Sequence, residues 1–166
     1  QTLPFAAATP NRLRADPLFD ALVRVLGLPD GVTEPAEGEG MNMMVQALRL
    51  NNSPRGNFHR QFGFDPSTVP EEINGTIPQA LFFMNSPVLI GRIRAGGQTR
   101  LNQILEQHRD NDEAVSELYL LVHAREPSER ERATCREYLR EVPNRREAFE
   151  DILWSLLNST EFQTRR

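Results

Sequence analysis

The sequence predicts an all-α protein, an irregular bundle of about seven or eight helices with long Pro/Gly-rich loops. Three observations predict it. Apolar residues recur at i, i+3, i+4 and i+7, most clearly after residue 98. No stretch reads as a credible strand. Helix start and stop signals fall between the periodic segments. The 12 Pro and 10 Gly, with 39% hydrophobic residues against a usual ~45–50%, account for the loops. A chain of 166 residues fits one domain and can bury its own core. We divide it into a loop-rich part, 1–97, and a compact helical bundle, 98–166.

Asp16-Pro17 opens the first helix, with Asp as N-cap and Pro in the first turn. Leu18, Leu22, Val25 and Leu26 form its apolar face, and Gly27 ends it. Residues 29–40 read as a loop, because turn formers and acids leave Val32 the only large apolar residue. Met41 to Leu50 reads as a short helix. Residues 51–76 read as mostly irregular, anchored on the core by Phe58, Phe62 and Phe64. Residues 78–85 form an apolar helix. Ser86-Pro87 ends it and caps the next, which carries Val88, Leu89, Ile90 and Ile93 and breaks at Gly96-Gly97. Residues 46–54 (QALRLNNSP) echo 79–87 (QALFFMNSP). We read the echo as shared stop chemistry rather than as a repeat array, since nothing outside these nine residues matches.

In the second half Leu101, Ile104, Leu105 and His108 share one helix face. Asp112 reads as the cap of a helix carrying Val115, Leu118, Tyr119 and Val122. Pro127-Ser128 starts another, with Ser128 and Glu131 as a capping box and a stripe of Cys135, Tyr138, Leu139 and Val142. Asn144 with Glu147 reads as a second box. The last helix carries Phe149, Ile152, Leu153, Leu156 and Leu157 with Trp154 beside them, and Asn158 ends it. Three antiparallel helices with short connections make a local bundle.

Charge and composition exclude several function classes. The 19 basic and 23 acidic residues leave a net charge of −4, which argues against nucleic acid or an anionic membrane surface as main partner. All 19 basic residues are Arg, spread along the chain, which reads as genomic composition bias rather than selection for anion binding. One cysteine, Cys135, excludes an internal disulfide framework, a CxxC pair and covalent haem attachment through CxxCH. No apolar run reaches the ~20 residues of a membrane span. The sequence opens on Gln1 without a signal-peptide pattern, so it reads as a fragment or a processed product.

No catalytic constellation is legible. His59, His108 and His123 form neither HxxxH nor HExxH, and a zinc site needs three or four converging ligands. His108 and His123 fall near helix C-termini, where an imidazolium favours the dipole. GxSxG and the phosphate loop GxxxxGK[ST] are both absent. Asp110 to Glu113 lack the spacing of a calcium loop. Cys135 lies on an apolar stripe, where a thiol is inert. The weak catalytic candidates are His59, Asp65, Glu71 and Glu72 around the aromatic loop. No cofactor or metal is expected. The Arg- and acid-rich stretch 125–151 reads as an exposed ion-pair face. Arg125 stands apart, placed to tie one helix end to Glu129 or Glu131.

Three blocks carry a resemblance. TIPQALFFMNSP (76–87), ELYLLVHAREPSERE (117–131) and EDILWSLLNSTEF (150–162) together resemble a planctomycete C-terminal domain of unknown function, found beside cytochrome-c-like domains in large cell-envelope proteins. Leu118, Tyr119, Leu120, Arg125, Pro127, Ser128 and Glu131 match its first block. Trp154, Ser155, Leu156, Leu157, Asn158, Ser159, Glu161 and Phe162 match its second. FGFDPS (62–67) and LFDALVRVLGLP (18–29) look similar too, so the resemblance covers most of the chain. It implies a helical domain at the C-terminal end of an exported protein of the periplasm or cell envelope. It implies no activity.

Three functions compete. The first is a non-catalytic helical interaction and structural module that docks on upstream domains of the same polypeptide or on a cell-envelope protein. The second is part of an enzyme acting on envelope polysaccharide. The third is a glycan-binding module using Trp154 or the Phe cluster. The expectation is the first.

Overall fold

The fold is given by a computed structural model that describes residues 11–28, 53–63 and 76–165. Nine helices lie among the described residues: α1 (Ala15–Leu26), α2 (Pro54–Phe62), α3 (Ile77–Asn85), α4 (Pro87–Ile93), α5 (Arg100–Gln107), α6 (Asn111–His123), α7 (Glu129–Glu141), α8 (Arg145–Leu157) and α9 (Thr160–Gln163). The all-α expectation holds. One small departure is a ribbon of two-residue strands, β1 (Asn11–Arg12) and β2 (Thr164–Arg165), paired antiparallel with Asn11 opposite Arg165. Two residues are too few to show alternation, so no sequence pattern announces them. The Leu13 N–H donates to the Gln163 carbonyl at 2.8 Å and extends the ribbon.

Helix α1 begins two residues earlier than expected. Arg14 stands at its N-cap without a side-chain cap, while Asp16 and Pro17 occupy the first turn. Gly27 ends it as expected: at φ 62° its N–H reaches the Val23 carbonyl at 2.9 Å. Leu18, Phe19, Leu22, Val25 and Leu26 are buried.

The expected irregular stretch is helical over Pro54–Phe62, which corrects the loop reading there. Ser53 caps this helix, its Oγ accepting from the Gly56 N–H at 3.0 Å, and Pro54 sits in the first turn. The sequence hides the helix because its apolar face is only Phe58 and Phe62, amid Gly and Asn. Those two rings stack with centroids 4.1 Å apart. Phe19 tilts against Phe58 at 5.3 Å, and Phe82 and Phe83 stand edge-on to Phe62 at 5.3 and 5.6 Å. This cluster joins α1, α2 and α3. The loop at 29–40, the helix expected over 41–50, and Phe64, Asp65, Glu71 and Glu72 lie outside the described residues.

Thr76 and Gln79 form a capping box on α3, and Ser86 separates α3 from α4. Leu89 and Ile93 are buried in α4, while Val88 and Ile90, which the same helix carries, are exposed. Ser53-Pro54 and Ser86-Pro87, the shared end of the two echoing segments, each begin a helix.

The second half is the scaffold. Asp110 caps α6, not Asp112: its Oδ1 accepts from the Asp112 and Glu113 N–H groups at 2.9 and 3.0 Å. Asp112 instead meets Arg136 of α7, Oδ1 to Nε at 2.7 Å. The Ser128–Glu131 capping box forms as expected. Helix α8 begins with the Asn144 Oδ1 accepting from the Arg146 N–H at 3.1 Å rather than with a reciprocal Asn144–Glu147 box. Helices α6, α7 and α8 pack side by side, with α5 against α6 and α8. Leu18, Leu22, Leu101, Leu118, Phe149 and Leu153 are shut off from solvent in one core that runs through both halves.

The Arg-rich stretch does more than line a solvated face. Arg132 donates to Ser116 of α6 and to Glu126, both at 2.7 Å. Arg145 donates to the Leu105 and His108 carbonyls at 3.1 and 2.7 Å and to Asn111 Oδ1 at 2.8 Å. It lies over the Phe149 ring and fastens the α5–α6 turn to the start of α8.

Candidate functional site

The residues of the two motif blocks meet at one end of the bundle. Helix α6 stops at His123, and Ala124 turns the chain at φ 54°, a left-handed conformation a non-glycine residue rarely takes. That turn delivers Arg125 between α7 and α9. Its guanidinium uses all five of its N–H groups. Nη1 and Nη2 donate to Glu131 Oε2 and Oε1 at 2.9 and 2.8 Å. Nε and Nη2 donate to Glu161 Oε1 and Oε2 at 2.6 and 2.7 Å. The remaining Nη1 hydrogen goes to the Glu126 carbonyl at 3.0 Å. Two fork-on-fork pairs on one Arg are the strongest geometry such groups offer. Glu131 Oε2 also accepts from the Ser128 N–H and hydroxyl, each at 2.7 Å.

The electrostatics follow. Arg125, with Ser128 helping, holds the Glu131 carboxyl down at about 2. Arg125 also lowers Glu161, and the two carboxylates raise Arg125 in turn. The Arg125 charge lies 5.7 Å from the Tyr119 ring centre. Phe162 is buried, Pro127 is buried, and Asn158 ends α8 with its side-chain amide on the Trp154 carbonyl at 2.8 Å. The motif residues therefore close the bundle end. The expected tie of Arg125 to Glu131 is present, Glu129 plays no part, and Glu161, 36 residues on, is the partner that sequence reasoning did not pair.

His123 stands edge-on to Tyr119 at 5.7 Å. Burial lowers its pKa, so the imidazolium expected at this helix end gives way to a neutral ring. Its Nδ1 is buried without a hydrogen-bond partner. His108 follows the end of α5 with Nδ1 3.6 Å from Glu113.

Beside the clamp, α6, α7 and α8 enclose an open groove of about 650 Å³. Its floor is Tyr119, Cys135, Ile152 and Trp154. Burial first of all pushes the Tyr119 phenol and the Cys135 thiol up, so both stay protonated at neutral pH. The Tyr138 hydroxyl donates to Asp151 Oδ2 at 2.5 Å on the rim. Thr134 and Ser155 donate their hydroxyl hydrogens to the Arg130 and Ile152 carbonyls at 3.1 and 2.9 Å. Neither hydroxyl therefore has a base to activate it, and no His lines the groove. Trp154, expected to be buried with its helix, is half-buried on this wall, packed against the core.

Of the weak catalytic candidates only His59 lies among the described residues. His59 lies on α2, with Nε2 2.5 Å from Asp16 Oδ1. Arg55 meets the same carboxylate at 3.1 Å, pairs with Asp20 and lies over Phe19. His59, then Arg55, lower the Asp16 pKa. Asp16 was missed as a partner because an acid before Pro reads as a helix cap. Among the described residues no group of three or more His, Cys, Asp and Glu is placed to hold a metal ion. No helix among them is long and apolar enough to cross a membrane. No protein-family model, curated protein or solved structure matches the chain.

Proposed function

We propose that this chain is a non-catalytic helical interaction and structural module of a larger exported protein. It docks on upstream domains of the same polypeptide or on a cell-envelope protein. The observation that carries the reading is an apolar ledge on α3. Ile77, Leu81 and Met84, at i, i+4 and i+7, share one helix face and are 78%, 51% and 47% exposed. Val88, just past the Ser86 break, is 58% exposed as well. Scattered apolar residues need no explanation, but an ordered row of large ones marks a contact surface. The opposite face of α3 is held by Phe83 and Gln79, so the row cannot turn inward. The likeness to a planctomycete envelope domain supports the choice of partner.

The test is calorimetry of the 166-residue chain against the separately produced upstream part of its parent polypeptide. The reading requires binding with a negative heat-capacity change, the mark of buried apolar surface. It also requires at least tenfold weaker binding by Leu81→Asp with Met84→Asp. Unchanged binding by the double variant would overturn it.

A further inference from the structure

We propose that the groove between α6, α7 and α8 binds a neutral saccharide of one or two sugar units. This site is separate from the ledge on α3 and does not depend on the docking role.

Shape and charge lead to that ligand class. The groove's volume of about 650 Å³ lies within the ~300–1,000 Å³ of small-molecule sites. Its wall is mostly apolar and includes Trp154, half-buried against the core. A pyranose offers one face of C–H groups to such a surface and carries hydroxyls around its edge. The polar groups on the rim suit those hydroxyls. Thr134 and Ser155 have already given their hydrogens to backbone carbonyls, and Tyr138 has given its own to Asp151. All three oxygens are left as acceptors, as is the other oxygen of Asp151. Arg130 and Trp154, which line the same groove, are the residues there whose side chains carry N–H donors. A ligand matching this set must donate several hydrogen bonds and accept others, as a sugar hydroxyl does.

Charge argues against the alternatives. An anion would meet Asp151 and Glu131, and a cation would meet Arg130. Both Glu131 oxygens are already engaged by Arg125 and Ser128, which leaves one acid, Asp151, and one base, Arg130, on the rim to meet a ligand. A purely apolar ligand would strip water from the rim oxygens without replacing their hydrogen bonds.

Trp154 is the only tryptophan in the chain. It lines both this groove and a neighbouring pocket with Ile90, Ile93 and Arg94, so its fluorescence reports binding at either. Thr134 lies in this groove only, so Thr134→Arg tells them apart. The experiment titrates the purified 166-residue chain with cellobiose, maltose and N,N′-diacetylchitobiose, and with inorganic phosphate and tetramethylammonium chloride. The proposal expects a saturable emission change with at least one disaccharide at millimolar or lower concentration, and none with the two ions. Calorimetry with the same sugar should show at least tenfold weaker binding for Asp151→Asn and loss of binding for Thr134→Arg. Thr134 is exposed on α7, so that second variant fills the groove without touching the core. Saturable binding of either ion with no sugar bound, no response to any sugar, or full sugar binding by Thr134→Arg would each overturn the proposal.

Discussion

Arg125 and Glu161 lie 36 residues apart and meet through two hydrogen bonds, Nε to Oε1 at 2.6 Å and Nη2 to Oε2 at 2.7 Å. With Glu131 on its other edge, Arg125 joins the starts of α7 and α9 across the end of α6. Charge-assisted hydrogen bonds contribute ~1.5–3 kcal/mol each when sheltered, and much less when water competes. Arg125 is 37% exposed, so Arg125→Ala should cost about 1–2 kcal/mol in urea unfolding. Arg125→Lys should recover less than half of that, because an ammonium cannot grip two carboxylates side-on. Equal stability of the wild type and the Ala variant would refute the clamp.

The pair of Arg125 with Glu131 sets an acid limit. The Glu131 carboxyl titrates at about 2 in the folded chain against 4.5 unfolded. A folded value below the unfolded one adds stability that is complete above pH 4.5 and fades as pH falls towards 2. Stability curves of the wild type and of Glu131→Gln should therefore converge across that window. Parallel curves would remove the linkage.

His123 works in the same direction nearer neutrality. Burial, the largest cause, lowers its pKa below 6.5, against the pull of Glu161 and Glu131. Its neutral form is the folded one, so stability present above pH 6.5 declines below it as the ring is forced to charge. His123→Phe should flatten the difference between unfolding free energies at pH 5.5 and 7.5. A larger pH dependence in the variant would contradict the burial argument.

Ala124 carries the turn that delivers Arg125. A left-handed backbone costs a residue with a Cβ roughly 1–2 kcal/mol, a cost glycine escapes. Ala124→Gly should raise stability by up to ~1 kcal/mol, the remainder being offset by unfolded-state entropy. A loss of stability on thermal unfolding would count against strain at this position.

Core and ledge should respond differently to truncation. Leu118 is 0% exposed, so Leu118→Ala should cost about 2–5 kcal/mol. Met84 is 47% exposed, so Met84→Ala should stay within ~0.5 kcal/mol in the isolated chain. Comparable losses at both sites would mean that the α3 row is packed rather than open.

The local elements were legible from residues a few positions apart. Gly27, Ser128 with Glu131, Asn144 and Asn158 act where the sequence places them, because caps and turns are short-range chemistry. The 3.6-residue apolar periodicity likewise determined α5 to α8 and the all-α class. What escaped was short or long-range. The α2 helix shows only two apolar residues, and β1 with β2 only two residues each. The tertiary structure alone decided that Asp110 rather than Asp112 caps α6, because Arg136 from the next helix claims the Asp112 carboxylate. It alone brought Glu161 to Arg125 and Asp16 to His59. It also left Trp154 half-buried, lining a groove with Tyr138 and Asp151. Periodicity tells which face of a helix seeks the core. Which charges and rings meet between helices depends on packing across tens of residues, and no spacing within one helix encodes it.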